Sequence, residues 1–135
     1  MYLTELYVVS LSDDTVRIVS GEEDLNRFVD PVISPDNQRI AFSTLLDPTI
    51  FIMNIDSQAL SYLTDYLAPG VHSRWEEVEN SFDPNWSPAG DKLVFAGGTR
   101  RSYQSDIYIL DLESGRLEQL TRTPANEFSP DWWSP

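Results

Sequence analysis

Proton transfer near neutral pH falls most readily to imidazole, and this 135-residue chain has one histidine, His72. No Gly-x-Ser-x-Gly elbow accompanies it, so a serine triad has no support. Cysteine is absent, which removes disulfides, thiolate zinc sites and cysteine nucleophiles together. The 22 Asp and Glu residues supply carboxylates in plenty, yet glycoside hydrolysis needs a pair at a set separation that spacing in sequence does not define. No Asp-x-Asp-x-Asp-Gly calcium loop or phosphate-cradling glycine loop is present, and Gly97-Gly98 reads as a hairpin turn. Asn85-Trp86-Ser87 fits the glycosylation pattern but falls where a buried strand is expected. These residues predict a non-catalytic chain with no metal and no cofactor.

The charge balance narrows the partners. Nine Lys and Arg against 22 Asp and Glu give a net charge of -13, a field that repels phosphate backbones and anionic lipid. Nucleic acid and membrane surfaces are therefore excluded as expected partners, and protein or peptide is favoured. The first twenty residues lack a basic n-region, and Glu5, Asp13 and Asp14 interrupt them, so they do not read as a signal peptide. The longest apolar runs, Leu6 to Val9, Ile50 to Met53 and Ile107 to Leu110, are too short to span a bilayer.

Those runs are rich in Ile, Val, Tyr and Phe and end at Asp, Ser, Gly and Pro clusters, the pattern of strands. They also recur. Asp30-Pro31-Val32-Ile33-Ser34-Pro35 through Phe42 aligns without a gap on Asp83-Pro84-Asn85-Trp86-Ser87-Pro88 through Phe95, and a third copy begins at Ser129-Pro130-Asp131-Trp132-Trp133-Ser134-Pro135 with one extra residue. Downstream, Ile50 to Asp56 matches Ile107 to Glu113, and Leu6 to Ser12 is an earlier copy. Each block runs into a short closing segment, at Leu63-Thr64, Leu120-Thr121 and Val19-Ser20. Four strands thus repeat in one order: a, the Pro-x-Trp-Ser-Pro segment; b, through Phe42 or Phe95; c, through Phe51 or Tyr108; and d, closing at Leu-Thr. The Ser-Pro step presets the a to b turn, and Asn37 or Gly90 takes its positive φ. Pro31, Phe42, Phe51, Pro84, Trp86, Phe95, Tyr108 and Trp133 are the expected structural positions, their bulk packed between neighbouring sheets.

Units of four strands spaced 53 residues between Pro35 and Pro88, and 47 between Pro88 and Pro135, predict propeller blades. The segments quoted above resemble the TolB-like (WD-type) β-propeller repeat, also found in the propellers of prolyl-oligopeptidase-like peptidases. The resemblance covers nearly the whole chain; Ile33 stands in place of its Trp and Asn37 in place of its Gly in the second unit. It implies an all-β, partial β-propeller: strands c and d of a first blade over 1–29, a second blade with a long exit loop over 30–82, a third over 83–127, and the first strand of a next blade over 128–135. It also implies a periplasmic location for relatives, though the residues themselves leave the cytoplasm equally open.

Propellers close with roughly four to eight blades, the resemblance implies about six, and such a ring needs more strands than these. Either further blades of a longer chain complete it, or a second copy does, strand a of one chain joining strands c and d of another. Two loops exceed what the repeat requires. One, Asp65 to Phe82, carries Tyr66, His72, Arg74 and Trp75; the other, Gly97 to Ser105, carries Arg100, Arg101 and Tyr103. In a meander the d to a and b to c connections emerge on one face, so both crowd the same end of the third blade. Aromatic anchors beside guanidinium forks predict a protein- or peptide-binding patch, the alternative being solvated surface insertions. The functional reading is a binding scaffold; the second is an accessory propeller that gates substrate for a larger serine peptidase or other hydrolase.

Overall fold

The computed structural model describes residues 5–19, 27–46, 48–70, 78–99 and 104–133. They hold ten strands, one 3₁₀ turn (Leu63–Tyr66) and no α-helix. β1 (Tyr7–Val9) and β2 (Val16–Ile18) form a two-stranded sheet. β3 (Phe28–Ile33), β4 (Arg39–Thr44), β5 (Ile50–Asn54) and β6 (Leu60–Tyr62) form a second sheet, and β7 (Asn80–Trp86), β8 (Lys92–Gly98), β9 (Asp106–Asp111) and β10 (Leu117–Gln119) a third. Both larger sheets are antiparallel meanders whose neighbours in space are neighbours in sequence. The architecture is all-β, a partial propeller of two four-stranded blades with flanking strands.

The turns follow from their residues. Asn37 and Gly90 adopt φ of 58° and 73°, and their amides donate to Ser34 O and Ser87 O at 2.9 and 2.8 Å. The serine hydroxyls then accept from Arg39 N and Lys92 N, at 3.0 Å in both blades. Each inner strand is interrupted where proline has no N–H to offer a ladder: pairing skips from Val29 to Val32 and from Phe82 to Asn85, with Asp30 and Asp83 at φ of 52° and 51°. Pairing resumes before each interruption, so β3 and β7 begin at Phe28 and Asn80, upstream of the Asp-Pro positions from which the repeat was counted.

Two apolar layers hold the sheets face to face. Between the first and second lie Leu6, Val8, Val19, Ile40, Phe42, Phe51 and Met53; between the second and third lie Ile50, Ile52, Leu63, Trp86, Phe95, Tyr108 and Leu110. Phe42 and Phe51 are opposite one another across β4 and β5 and stack at 5.7 Å; Phe95 and Tyr108 repeat this across β8 and β9 at 5.8 Å. Trp86 closes the second layer from the inner strand, its Nε1 donating to Val32 O at 3.1 Å and its ring lying 4.6 Å beneath the Arg39 guanidinium. Pro84 is buried, whereas Pro31, on the less covered second sheet, is exposed.

Three expectations are corrected. Trp133 is not an interior plug but is 84% exposed. Trp132 takes the backbone place of Trp86: its amide bonds Asp131 Oδ1 at 2.8 Å as that of Trp86 bonds Asn85 Oδ1 at 2.9 Å, so the extra residue falls after it. Gly97-Gly98 is not a turn but the end of β8. The segment from Phe128 to Trp133 joins no ladder and is not assigned as a strand.

Candidate functional site

The described ends of the two long loops converge. Asn80, where the Asp65 to Phe82 loop enters β7, pairs with Gly98, where β8 runs into the Gly97 to Ser105 loop. A cavity of about 430 Å³ opens at this end of the third sheet. β7 contributes Asn80, Phe82 and Asp83, and β8 with its exit contributes Gly98 and Thr99. Gln104 and Ser105 at the entry to β9 form another wall, and Asn126 and Phe128 of the segment after β10 close the last. Gly98 has to be glycine here, since a Cβ would stand 2.0 Å from Gln104 O.

The wall after β10 is held by backbone and side-chain bonds to Gln104 and Ser105. Glu127 N donates to Ser105 O at 2.9 Å, Ser105 Oγ donates to Glu127 O at 2.7 Å, and Ser105 N donates to Asn126 Oδ1 at 3.2 Å. Gln104 Nε2 reaches Pro124 O at 3.1 Å. The inner side is held by Asp83, whose Oδ2 accepts from Ser129 N at 2.9 Å. Asp83 also faces Asp30, its counterpart one sheet earlier. The protein around Asp30 strips part of its hydration, and Asp83 adds a shared hydrogen bond and a like charge, so the Asp30 carboxyl is raised above the ordinary aspartate value.

Amide, hydroxyl and carboxylate groups beside two phenyl rings can hydrogen-bond an extended backbone and cover its apolar side chains. They form no nucleophile–base pair. Among the described residues, no group of three or more His, Asp or Glu side chains could hold a metal ion, and no helix is long and apolar enough to cross a membrane.

Of the predicted patch, His72, Arg74, Trp75, Arg100, Arg101 and Tyr103 lie outside the described residues. Tyr66 does not line the cavity. It is half-buried against the layer between the second and third sheets, and Ala68 beside it bonds Gly115 O at 3.0 Å in the β9–β10 turn, on the face opposite the β8–β9 loop. Sequence reasoning missed Asn80, Phe82, Asn126 and Phe128. The signal was available: the third copy extends upstream as Asn126-Glu127-Phe128-Ser129-Pro130 against Asn80-Ser81-Phe82-Asp83-Pro84.

No protein-family model matches the chain. Solved structures do. TolB from Acinetobacter baumannii superposes with a TM-score of 0.62 at 18% identity, over 87% of this chain and 26% of that one. A putative TolB from Agrobacterium tumefaciens gives 0.63 at 19%, over 87% and 40%. The β-propeller domain of the Trilobed protease from Pyrococcus furiosus gives 0.59 at 18%, over 88% and 34%. The chain therefore has the fold of a TolB-like propeller segment and spans between about a quarter and two fifths of the length of these structures.

Proposed function

We propose that this segment is a non-catalytic scaffold that binds a protein or peptide at the open end of the third sheet. The observation that carries the reading is the cavity itself: amides of Asn80, Gln104 and Asn126, with Asp83 and two phenyl rings, gathered where both long loops depart. Function in such folds belongs to loops held on rigid sheets, and Arg74, Trp75, Arg100, Arg101 and Tyr103 extend the same patch in this proposal. The test is selection from a displayed random peptide library, followed by fluorescence polarisation with the enriched peptides. Binding should fall at least tenfold in the double variant Gln104→Ala, Asn126→Ala, and again with Arg100→Ala, Arg101→Ala and Trp75→Ala. Enriched peptides that bind all variants equally, or no enrichment, would overturn it.

The likeness to a protease's propeller domain favours a second reading, an accessory propeller that gates substrate for a hydrolase. The coding sequence flanking these residues discriminates: a nucleophile-elbow domain beside them supports gating, and further blades alone support the scaffold.

A further inference from the structure

The cavity at the open end of the third sheet is short of positive charge. Of the described residues that line it, only Asp83 is ionisable, beside the amides of Asn80, Gln104 and Asn126 and the rings of Phe82 and Phe128. Asp83 is half-buried, so water screens its charge less than at an open surface. Its Oδ2 accepts from Ser129 N at 2.9 Å and from Ser129 Oγ at 3.3 Å, and its carboxylate shares a hydrogen bond with Asp30. No described Lys or Arg pairs with either carboxylate; Arg17, Lys92 and Arg116 pair with Asp56, Asp91 and Glu118 instead. Desolvation, the shared bond and the like charge of Asp83 hold the Asp30 carboxyl above the ordinary aspartate value, as expected where two carboxylates meet without a counter-ion.

The cavity lies between two successive inner strands. The segment after β10 stands to the third sheet as β7 stands to the second: Glu127 N bonds Ser105 O and Ser81 N bonds Pro48 O, each at 2.9 Å, and Ser129 and Asp83 adopt φ of 52° and 51°. A further blade would therefore dock beyond the wall of Asn126 and Phe128, not inside it. A guanidinium group suits the enclosed space. It rests on phenyl faces, forks onto a carboxylate and donates its remaining N–H groups to amide oxygens. An anion would face Asp83, and an apolar group would bury that carboxylate without a counter-charge. The net charge of -13 draws cations toward the chain.

We propose that this cavity receives the guanidinium group of an arginine side chain, with Asp83 as its counter-ion and Phe82 and Phe128 as its aromatic walls. The proposal deepens the peptide-binding reading: it rests on that reading for the peptide that carries the arginine, and on the cavity alone for the cation.

Nuclear magnetic resonance titration of the isotope-labelled chain tests it. The probes are Nα-acetyl-arginine amide and the citrulline analogue, in which a neutral urea replaces the guanidinium. The arginine probe should shift the amide resonances of Asn80, Phe82, Gln104 and Phe128 saturably, and the citrulline probe should bind about tenfold more weakly. Asp83→Asn should remove most of that difference. Asparagine tolerates the left-handed φ and still offers an oxygen to Ser129 N, so far-ultraviolet circular dichroism should be unchanged. Phe128→Leu, at a side chain 67% exposed, should weaken the arginine probe about threefold. Peptides enriched from the displayed library should carry arginine at one constant position. Equal binding of the two probes to the wild-type chain, or an arginine preference that survives Asp83→Asn, overturns the proposal even where peptides are enriched. Binding of the arginine probe at these resonances with no peptide enriched overturns the peptide reading and supports the cation site.

Discussion

At the residue scale, Asp30 and Asp83 occupy equivalent places on successive inner strands, close enough for one carboxyl to hold its proton against the other. A carboxyl whose pKa is raised by folding adds stability while protonated and loses that contribution as pH rises through its folded value. Asp30→Asn should therefore raise the melting temperature at pH 7, and the advantage should shrink as pH falls below the raised value, where wild-type Asp30 is also neutral. The left-handed φ of 52° suits Asn as well as Asp; any gain from that source is independent of pH, so melting curves from pH 3 to 8 separate the two. Trp86 offers a second test. Trp86→Phe keeps an aromatic ring but removes the Nε1 donor to Val32 O and part of the buried indole, and urea unfolding should show a loss of about 2–3 kcal/mol.

At the element scale, the turns do more than reverse the chain. Gly115, at φ of 70°, sits where a Cβ would meet Ala68 N at 2.3 Å and Tyr66 O at 2.6 Å, so the β9–β10 turn fastens the exit of the second sheet to the third. Gly115→Ala combines a left-handed alanine with a backbone clash and should cost about 2–4 kcal/mol, with faster hydrogen exchange at Ala68 as the local sign. The strands and Ser-Pro turns were legible in sequence because local chemistry dictates them: alternating β-branched and aromatic runs, a proline that presets φ, and Asn37 or Gly90 at the left-handed position. The upstream starts of β3 and β7 were not, because proline breaks the ladder and hides the pairing that resumes before it. Trp133 was misplaced because only the backbone shows on which side of it the extra residue falls. The cavity was half legible. Strand order brought the two loops to one end, but the wall formed by Asn126 and Phe128 depends on Ser105 bonding a segment beyond β10, and in sequence it shows only when the third copy is extended upstream to Asn126.

At the scale of the whole molecule, the apolar layers among the described residues join each sheet to its neighbours in sequence, so stability should resolve into sheet terms and seam terms, as in other repeat architectures. The two seams can be loosened separately. Phe42 lies in the layer between the first and second sheets and Phe95 in the layer between the second and third, both fully buried. Replacing either by Ala should cost about 3–5 kcal/mol, but the damage should spread differently. Phe42→Ala should release β1 and β2, which Arg17 with Asp56 and Gln58 with Ile18 O also tie across that seam, while amides of β8 and β9 keep their protection. Phe95→Ala should expose β7 to β10 and leave β1 and β2 packed on Phe42. Hydrogen exchange followed strand by strand reads both patterns, and equal acceleration in all three sheets from either variant would show a single cooperative unit instead. If the seams are separable, β1 and β2, which border one apolar layer, should lose exchange protection at lower urea than β4 and β5, which lie between two.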